Sequence, residues 1–152
     1  MRKLIYISVI SLLAFSSCKK DDEPVSEARV LTDTPEIEFV SMSSSSIQEF
    51  DDVTLVISYV DGNGDLGTSD ADAKSIFVTD NRTSITHEYH LQPLTPDNSD
   101  IAIQGELNIH VENIVILDQN NNSESTTFSI KIKDRAGNES NAVSSSTLSI
   151  SK

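Results

Sequence analysis

Period-two alternation of apolar residues limits what this chain can become. Val53, Leu55, Ile57 and Tyr59 fall on one side of an extended segment, with Thr54, Val56, Ser58 and Val60 on the other. Phe128, Ile130 and Ile132 alternate in the same way with Ser129, Lys131 and Lys133. Successive side chains of a strand point to opposite faces, so this spacing buries one face of a strand and would scatter apolar groups around a helix. Shorter runs repeat it at Ile76/Val78, Ile85-His87-Tyr89-Leu91, Leu107-Ile109-Val111 and Leu148/Ile150. Ile37 and Phe39 share one phase and Val40 and Met42 the other, which predicts a bulge or an edge strand. Ile101 and Ile103 start a further run that Gly105 is expected to interrupt, and Ile114–Leu117 reads as a short apolar segment. No amphipathic helical pattern follows the N-terminal apolar stretch. The expectation is an all-β chain.

Turn chemistry separates these runs. Gln92–Asp100, Asp118–Asn122 and Asp134–Asn138 are rich in Asn, Asp, Gly and Pro, which close turns by backbone geometry or side-chain hydrogen bonds. About seven strands at such spacing predict an antiparallel β-sandwich of the immunoglobulin or fibronectin III type, with an open barrel as the competing architecture. A lone cysteine and the lack of tryptophan make it a disulfide-free variant.

The first residues have a different purpose. Arg2 and Lys3 precede an apolar run from Leu4 to Phe15, and Ser16-Ser17 lead into Cys18. A basic start, a short apolar stretch and small residues form a secretory signal, and the run is shorter than the ~20 residues that span a bilayer. Phe15-Ser16-Ser17-Cys18 resembles the lipobox of bacterial lipoproteins, with Phe15 where leucine is usual. The resemblance implies lipidation of Cys18 and a firm, non-spanning membrane anchor. Lys19-Lys20-Asp21-Asp22-Glu23 is similar to the export signal of Bacteroidetes surface lipoproteins, implying an outer-membrane, surface-exposed location. The expected organisation is a signal peptide over 1–17, a lipidated cysteine and flexible tether over 18–35, and the β-sandwich over 36–152.

One loop stands out for chemistry: Asp61-Gly62-Asn63-Gly64-Asp65-Leu66-Gly67. Oxygen-bearing side chains at alternate positions, separated by glycines, can fold around a hard cation. Ca²⁺ takes about six to eight oxygen ligands from carboxylates, amides and carbonyls. Asp61, Asn63 and Asp65 match the first three ligand positions of an EF-hand loop and Asp72 the twelfth. Leu66 stands where that loop needs glycine, Asp72 is shorter than the usual glutamate, and the flanking helices are missing. Loops following the second and penultimate strands of such a sandwich emerge at one end, so Asp134 is expected beside them. The candidate Ca²⁺ ligands are therefore Asp61, Asn63, Asp65, Asp72 and Asp134, in a structural role at the end of the domain remote from the tether. The same residues also close a turn on their own backbone without metal.

With 24 acidic against 11 basic residues the net charge is −13, a field that repels nucleic acid and favours cations. Catalytic signals are weak. His87 and His90 face opposite sides of a strand, His110 lies on a polar face, and no G-x-S-x-G elbow occurs. Glu49, Asp51 and Asp52 form an acidic cluster, and a degenerate hydrolase built on them is the distant alternative. The ending FSIKIKDRAGNESNAVSSSTLSI resembles the last strands of bacterial Ig-like and cadherin-like modules. Together with the lipobox and the DGNGDLG loop it resembles small Ig-like Bacteroidetes lipoproteins of no assigned activity. That implies a non-catalytic, lipid-anchored envelope module that binds a partner, or one that is purely structural. Phe39, Phe50, Phe77, Phe128, Tyr59 and Tyr89 are few for a sugar-stacking platform, which makes a protein partner the expectation.

Overall fold

A computed structural model describes residues 31–152; the signal segment, Cys18 and most of the tether lie outside them. Ten strands make up the described chain: β1 (Glu36–Met42), β2 (Ser46–Gln48), β3 (Val53–Asp61), β4 (Ile76–Asp80), β5 (Ile85–Tyr89), β6 (Ile103–Val111), β7 (Ser123–Thr126), β8 (Phe128–Ile132), β9 (Val143–Ser144) and β10 (Leu148–Ser151). No helix occurs among the described residues. The chain is an antiparallel β-sandwich.

One layer is β1-β3-β6, with β3 central as its two-sided β-branched sequence requires. The other combines β5-β4-β8-β9 with β2-β10-β7. β7 and β8 are two pieces of one strand broken at Thr127, and β9 and β10 two pieces of its neighbour. β8 pairs with β9, and β7 with β10. At the break, Ser145 replaces the regular ladder: its N–H donates to Phe128 O (2.8 Å) and its Oγ accepts from Phe128 N (2.9 Å). These interruptions turn the expected seven strands or so into ten segments. β2 crosses over to run parallel to β10, while β1 stays on β3. A first strand shared between the two layers in this way, with β1-β3-β6 facing β5-β4-β8-β9, is the immunoglobulin and fibronectin III arrangement.

The alternating residues fill the space between layers. Val53, Leu55, Ile57, Ile109 and Val111 meet Val78, Phe128, Ile130, Ile132, Leu148 and Ile150, all of them buried. Each such side chain contributes roughly 1.5–3 kcal/mol through burial. The phase change in β1 is a bulge between Phe39 and Ser41, and the extra residue, Val40, faces solvent.

One expectation fails. Gly105 does not interrupt β6: it pairs with Tyr59, and a Cβ there would lie 2.9 Å from the Tyr59 hydroxyl, so the glycine makes room for the ring. The apolar segment Ile114–Leu117 forms a strap, bound through Phe50 N to Ile114 O (2.7 Å) and Ile114 N to Asp51 O (3.1 Å).

The alternation also runs past the apolar residues. Asp61 ends β3 in the inward phase of Val53, Leu55 and Ile57, and is 0% exposed. Asp134 continues the inward phase of Phe128, Ile130 and Ile132, and is 5% exposed. The sandwich thus turns two aspartates inward at one end.

Candidate metal centre

The loop after β3 is shaped by its glycines. Gly64 and Gly67 have φ of 71° and 76°, left-handed values that favour glycine. A Cβ on either would meet a carbonyl oxygen, Ile101 O at 2.2 Å or Gln92 O at 2.1 Å. Leu66, where an EF-hand has glycine, is fully buried and anchors the loop to the core. Thr68 N donates to Leu91 O (2.9 Å) and Leu94 N to Leu66 O (3.1 Å), tying the loop to the segment after β5. Buried Thr95 donates its hydroxyl to Gly64 O.

The turn after β8 closes on the same place. Asp134 accepts from Asn138 N (2.7 Å) and Asn138 Nδ2 (2.8 Å), with Gly137 at φ 93°. This sets two successive amides against Asp65: Arg135 N donates to its carbonyl (3.2 Å) and Ala136 N to its Oδ2 (3.2 Å). The two loops are neighbours.

Four side-chain oxygens here are buried without a hydrogen-bond partner: both of Asp61, Asn63 Oδ1 and Asp65 Oδ1. They are the whole set of such atoms among the described residues, and all belong to alternate positions of one loop. Burial pushes the Asp61 carboxyl above the usual carboxylate range, and the charges of Asp65 and Asp134 push it further. The Asp65 and Leu66 amides offset part of that rise without either closing a hydrogen bond to it. Asp65 is raised by burial and by Asp134, with the Ala136 amide and Arg135 pulling the other way. Arg135 turns its guanidinium to Asp97 (3.0 Å). Carboxylates sharing a site in this way oppose one another's ionisation.

The opposite end of the molecule shows how this chain treats a buried carboxylate when a protein cation is available. Asp80 ends β4 in the inward phase of Ile76 and Val78 and is 8% exposed. Arg82 Nη2 lies 2.7 Å from its Oδ2, Arg82 Nε donates to both oxygens, and Thr126 donates to Oδ1 (2.6 Å). The carboxyl is lowered: burial alone would raise it, but the bonds to Arg82 and Thr126 outweigh that. Asp61 has the same position on its strand and no such partner.

The residues expected as ligands therefore divide. Asp61, Asn63 and Asp65 share the buried set. Asp134 is beside them and adds charge, but both its oxygens hold Asn138. Asp72 is exposed in a turn where its N–H takes Asp70 Oδ1 (3.0 Å), and no contact ties it to the buried oxygens. No three His, Cys, Asp or Glu side chains among the described residues converge on one metal-binding point. The loop reaches three oxygen-bearing side chains by including the amide of Asn63, and a hard cation completes its shell with carbonyls and water. No protein-family model, curated protein or solved structure matches the chain.

The expected placement of the loop is corrected. Gly62 N donates to Thr32 O (2.9 Å), so the segment arriving from the N-terminal side meets the sandwich at this loop, not at the far end. Contacts of the domain therefore reach back past the expected boundary at residue 36, and Pro35 is buried. The acidic cluster before β3 is engaged elsewhere. Glu49 Oε1 accepts from Ile116 N (3.1 Å), Asp51 Oδ2 from Gln48 N (2.9 Å) and Asp52 Oδ1 from Asn113 N (2.8 Å), each pinning a loop. His90 bonds Ala73 O (3.0 Å) and His110 bonds Thr54 Oγ1 (3.0 Å).

Sequence reasoning missed the apolar residues at the end opposite the loop. Phe50 is 65% exposed and holds φ 74°, Ile85 is 58% exposed and Leu117 48%. A groove of about 630 Å³ runs between the β5 and β6 edges, with Ile76, Tyr89, Leu91 and Leu107 along it and His87 and Glu112 beside them.

Proposed function

We propose that this chain is a lipid-anchored, non-catalytic accessory module of the cell envelope whose sandwich is stabilised by Ca²⁺ at Asp61, Asn63 and Asp65, with Asp134 supplying charge. The observation that carries the calcium part is the set of four buried side-chain oxygens without partners, gathered on one loop. Three carboxylates near one another with no protein cation bonded to any of them, Arg135 turning its guanidinium to Asp97, are costly unless a cation joins them. Calcium fits better than a transition metal because the donor set is all oxygen.

Thermal unfolding in EDTA and then in millimolar Ca²⁺ tests it. At a hundredfold excess over Kd the gain is about 2.7 kcal/mol, and it disappears in Asp61→Asn/Asp65→Asn. An unchanged midpoint in the wild-type chain would reduce the loop to a strained turn. The anchor rests on Cys18 and its flanking sequence: Cys18→Ala should move the protein from the membrane fraction to the soluble one.

Between a binding module and a purely structural one, the apolar far end favours binding. A large aromatic held out in solvent on a left-handed backbone is disfavoured twice over, and such strain clusters at functional positions. With the anchored segment arriving at the metal loop, Phe50 sits on the end facing away from the membrane. The partner class expected there is a protein, through an aromatic anchor.

A further inference from the structure

The loop at Asp61 does two things within two residues. Asp61 turns both carboxylate oxygens into the buried site, and the N–H of Gly62 leaves on the other side to bind Thr32 O at 2.9 Å. A Cβ on Gly62 would stand 2.4 Å from that same carbonyl oxygen, so the incoming chain lies directly on the loop backbone. Leu31, Thr32, Asp33 and Thr34 are otherwise exposed, braced by a local bond from Thr32 Oγ1 to Thr34 O (2.8 Å). Firm attachment begins later, with buried Pro35, the pairing of Glu36 with Val60, and Ile37 held on both sides by Asn141 (2.9 and 2.8 Å).

Resting on the calcium reading, we infer that cation binding at Asp61, Asn63 and Asp65 is coupled to docking of the segment 31–34. The site would then act as a calcium-dependent clasp on the chain that arrives from the anchored N-terminus. When no cation joins the carboxylates, the simplest relief of their repulsion is for the end of β3 to turn Asp61 toward water. That rotation moves the Gly62 N–H with it and releases Thr32. Binding the cation restores both. The clasp sets how freely the sandwich pivots on its membrane attachment, so a change in external calcium would alter the reach of the far end.

Linkage makes this testable from either side, because docking must raise cation affinity by the factor by which the cation raises docking. Three measurements on the full-length chain carrying Cys18→Ser suffice: calorimetric Ca²⁺ titration, amide exchange of Gly62, and exchange across residues 31–37. Calcium is expected to slow Gly62 exchange about tenfold or more, within the usual range of such couplings. Gly62→Ala displaces Thr32 but changes none of the ligand residues, and should weaken Ca²⁺ binding by a similar factor. Should that variant fold poorly, a chain beginning at Pro35 removes the Thr32 carbonyl without adding a Cβ and should show the same loss. If the wild-type chain binds no Ca²⁺, the calcium reading itself falls. If it binds Ca²⁺ while Gly62 exchange is unchanged and the chain beginning at Pro35 keeps full affinity, the clasp alone is overturned.

Discussion

Asp61 and Asp80 are the same residue type at the inward-facing end of a strand, with opposite surroundings. Asp80 is paired, so removing its partner is damaging. Arg82→Met should destabilise the domain by about 3 kcal/mol or more, since an unpaired buried carboxylate is left behind, and urea unfolding would measure it. Asp61 is unpaired, so removing its charge should help whenever no cation is present. Asp61→Asn is expected to raise the midpoint in EDTA by an amount equivalent to about 1 kcal/mol or more, while abolishing the response to Ca²⁺. A simple hydrogen-bonding role for Asp61 gives the reverse, a variant less stable in EDTA. Phe50 makes a third residue-scale case. A left-handed backbone costs a non-glycine residue roughly 1–2 kcal/mol, and at 65% exposure little burial offsets it. Phe50→Gly should therefore leave stability within about 0.5 kcal/mol of wild type, because glycine's own entropic cost cancels much of the relief. A larger loss would mean that the ring packs.

Strands in this molecule are defined as much by their breaks as by their runs. The break between β7 and β8 is held by Ser145, whose Oγ accepts the buried Phe128 N–H. Ser145→Ala leaves that donor unsatisfied and should cost about 1–3 kcal/mol, read as a lower urea midpoint with an unchanged slope. The loop after β3 is the other decisive element. Its path requires glycine at 64 and 67, where backbone angle and carbonyl contact agree, and a buried leucine between them. Alternate oxygens on such a loop were visible from their spacing. Their burial was not, although a signal existed: counting by two from Val53 reaches Asp61, and counting by two from Phe128 reaches Asp134. A carboxylate in the inward phase of a core strand already asks for a counter-charge.

Across the whole molecule, the two ends respond to pH in opposite directions. Asp80 is lowered in the folded state, so its contribution is present above its unfolded value and is lost as pH falls through the folded one. Asp61 and Asp65 are raised. Without a cation they oppose folding increasingly as pH climbs above the unfolded carboxylate value, about 3.9. Calcium needs them ionised. The Ca²⁺-induced rise in melting temperature should thus be full at neutral pH and shrink steadily toward pH 4. A shift independent of pH over that range would place the cation elsewhere. The polarity also orders the functional parts, with the incoming chain and candidate cation site at one end and exposed Phe50, Ile85 and Leu117 at the other.

By itself the sequence determined the all-β class, the central place of Val53–Tyr59, the bulge in the first strand and the pairing of the DGNGDLG loop with the DRAGN turn. The first three follow from local periodicity, which acts between residues close in sequence; the last follows from the sandwich topology that such strands imply. Tertiary structure alone decided three things. Asp80 has Arg82 where Asp61 has no cation, Asp134 has its oxygens on Asn138, and Asp72 lies outside the buried set. It also brought Thr32 onto Gly62, placing the incoming chain at the loop. Arg82 and Asn138 lie only two and four residues from the aspartates they hold, so their use depends on how each strand end is buried, whereas no local pattern specifies the meeting of Thr32 and Gly62, 30 positions apart in the chain.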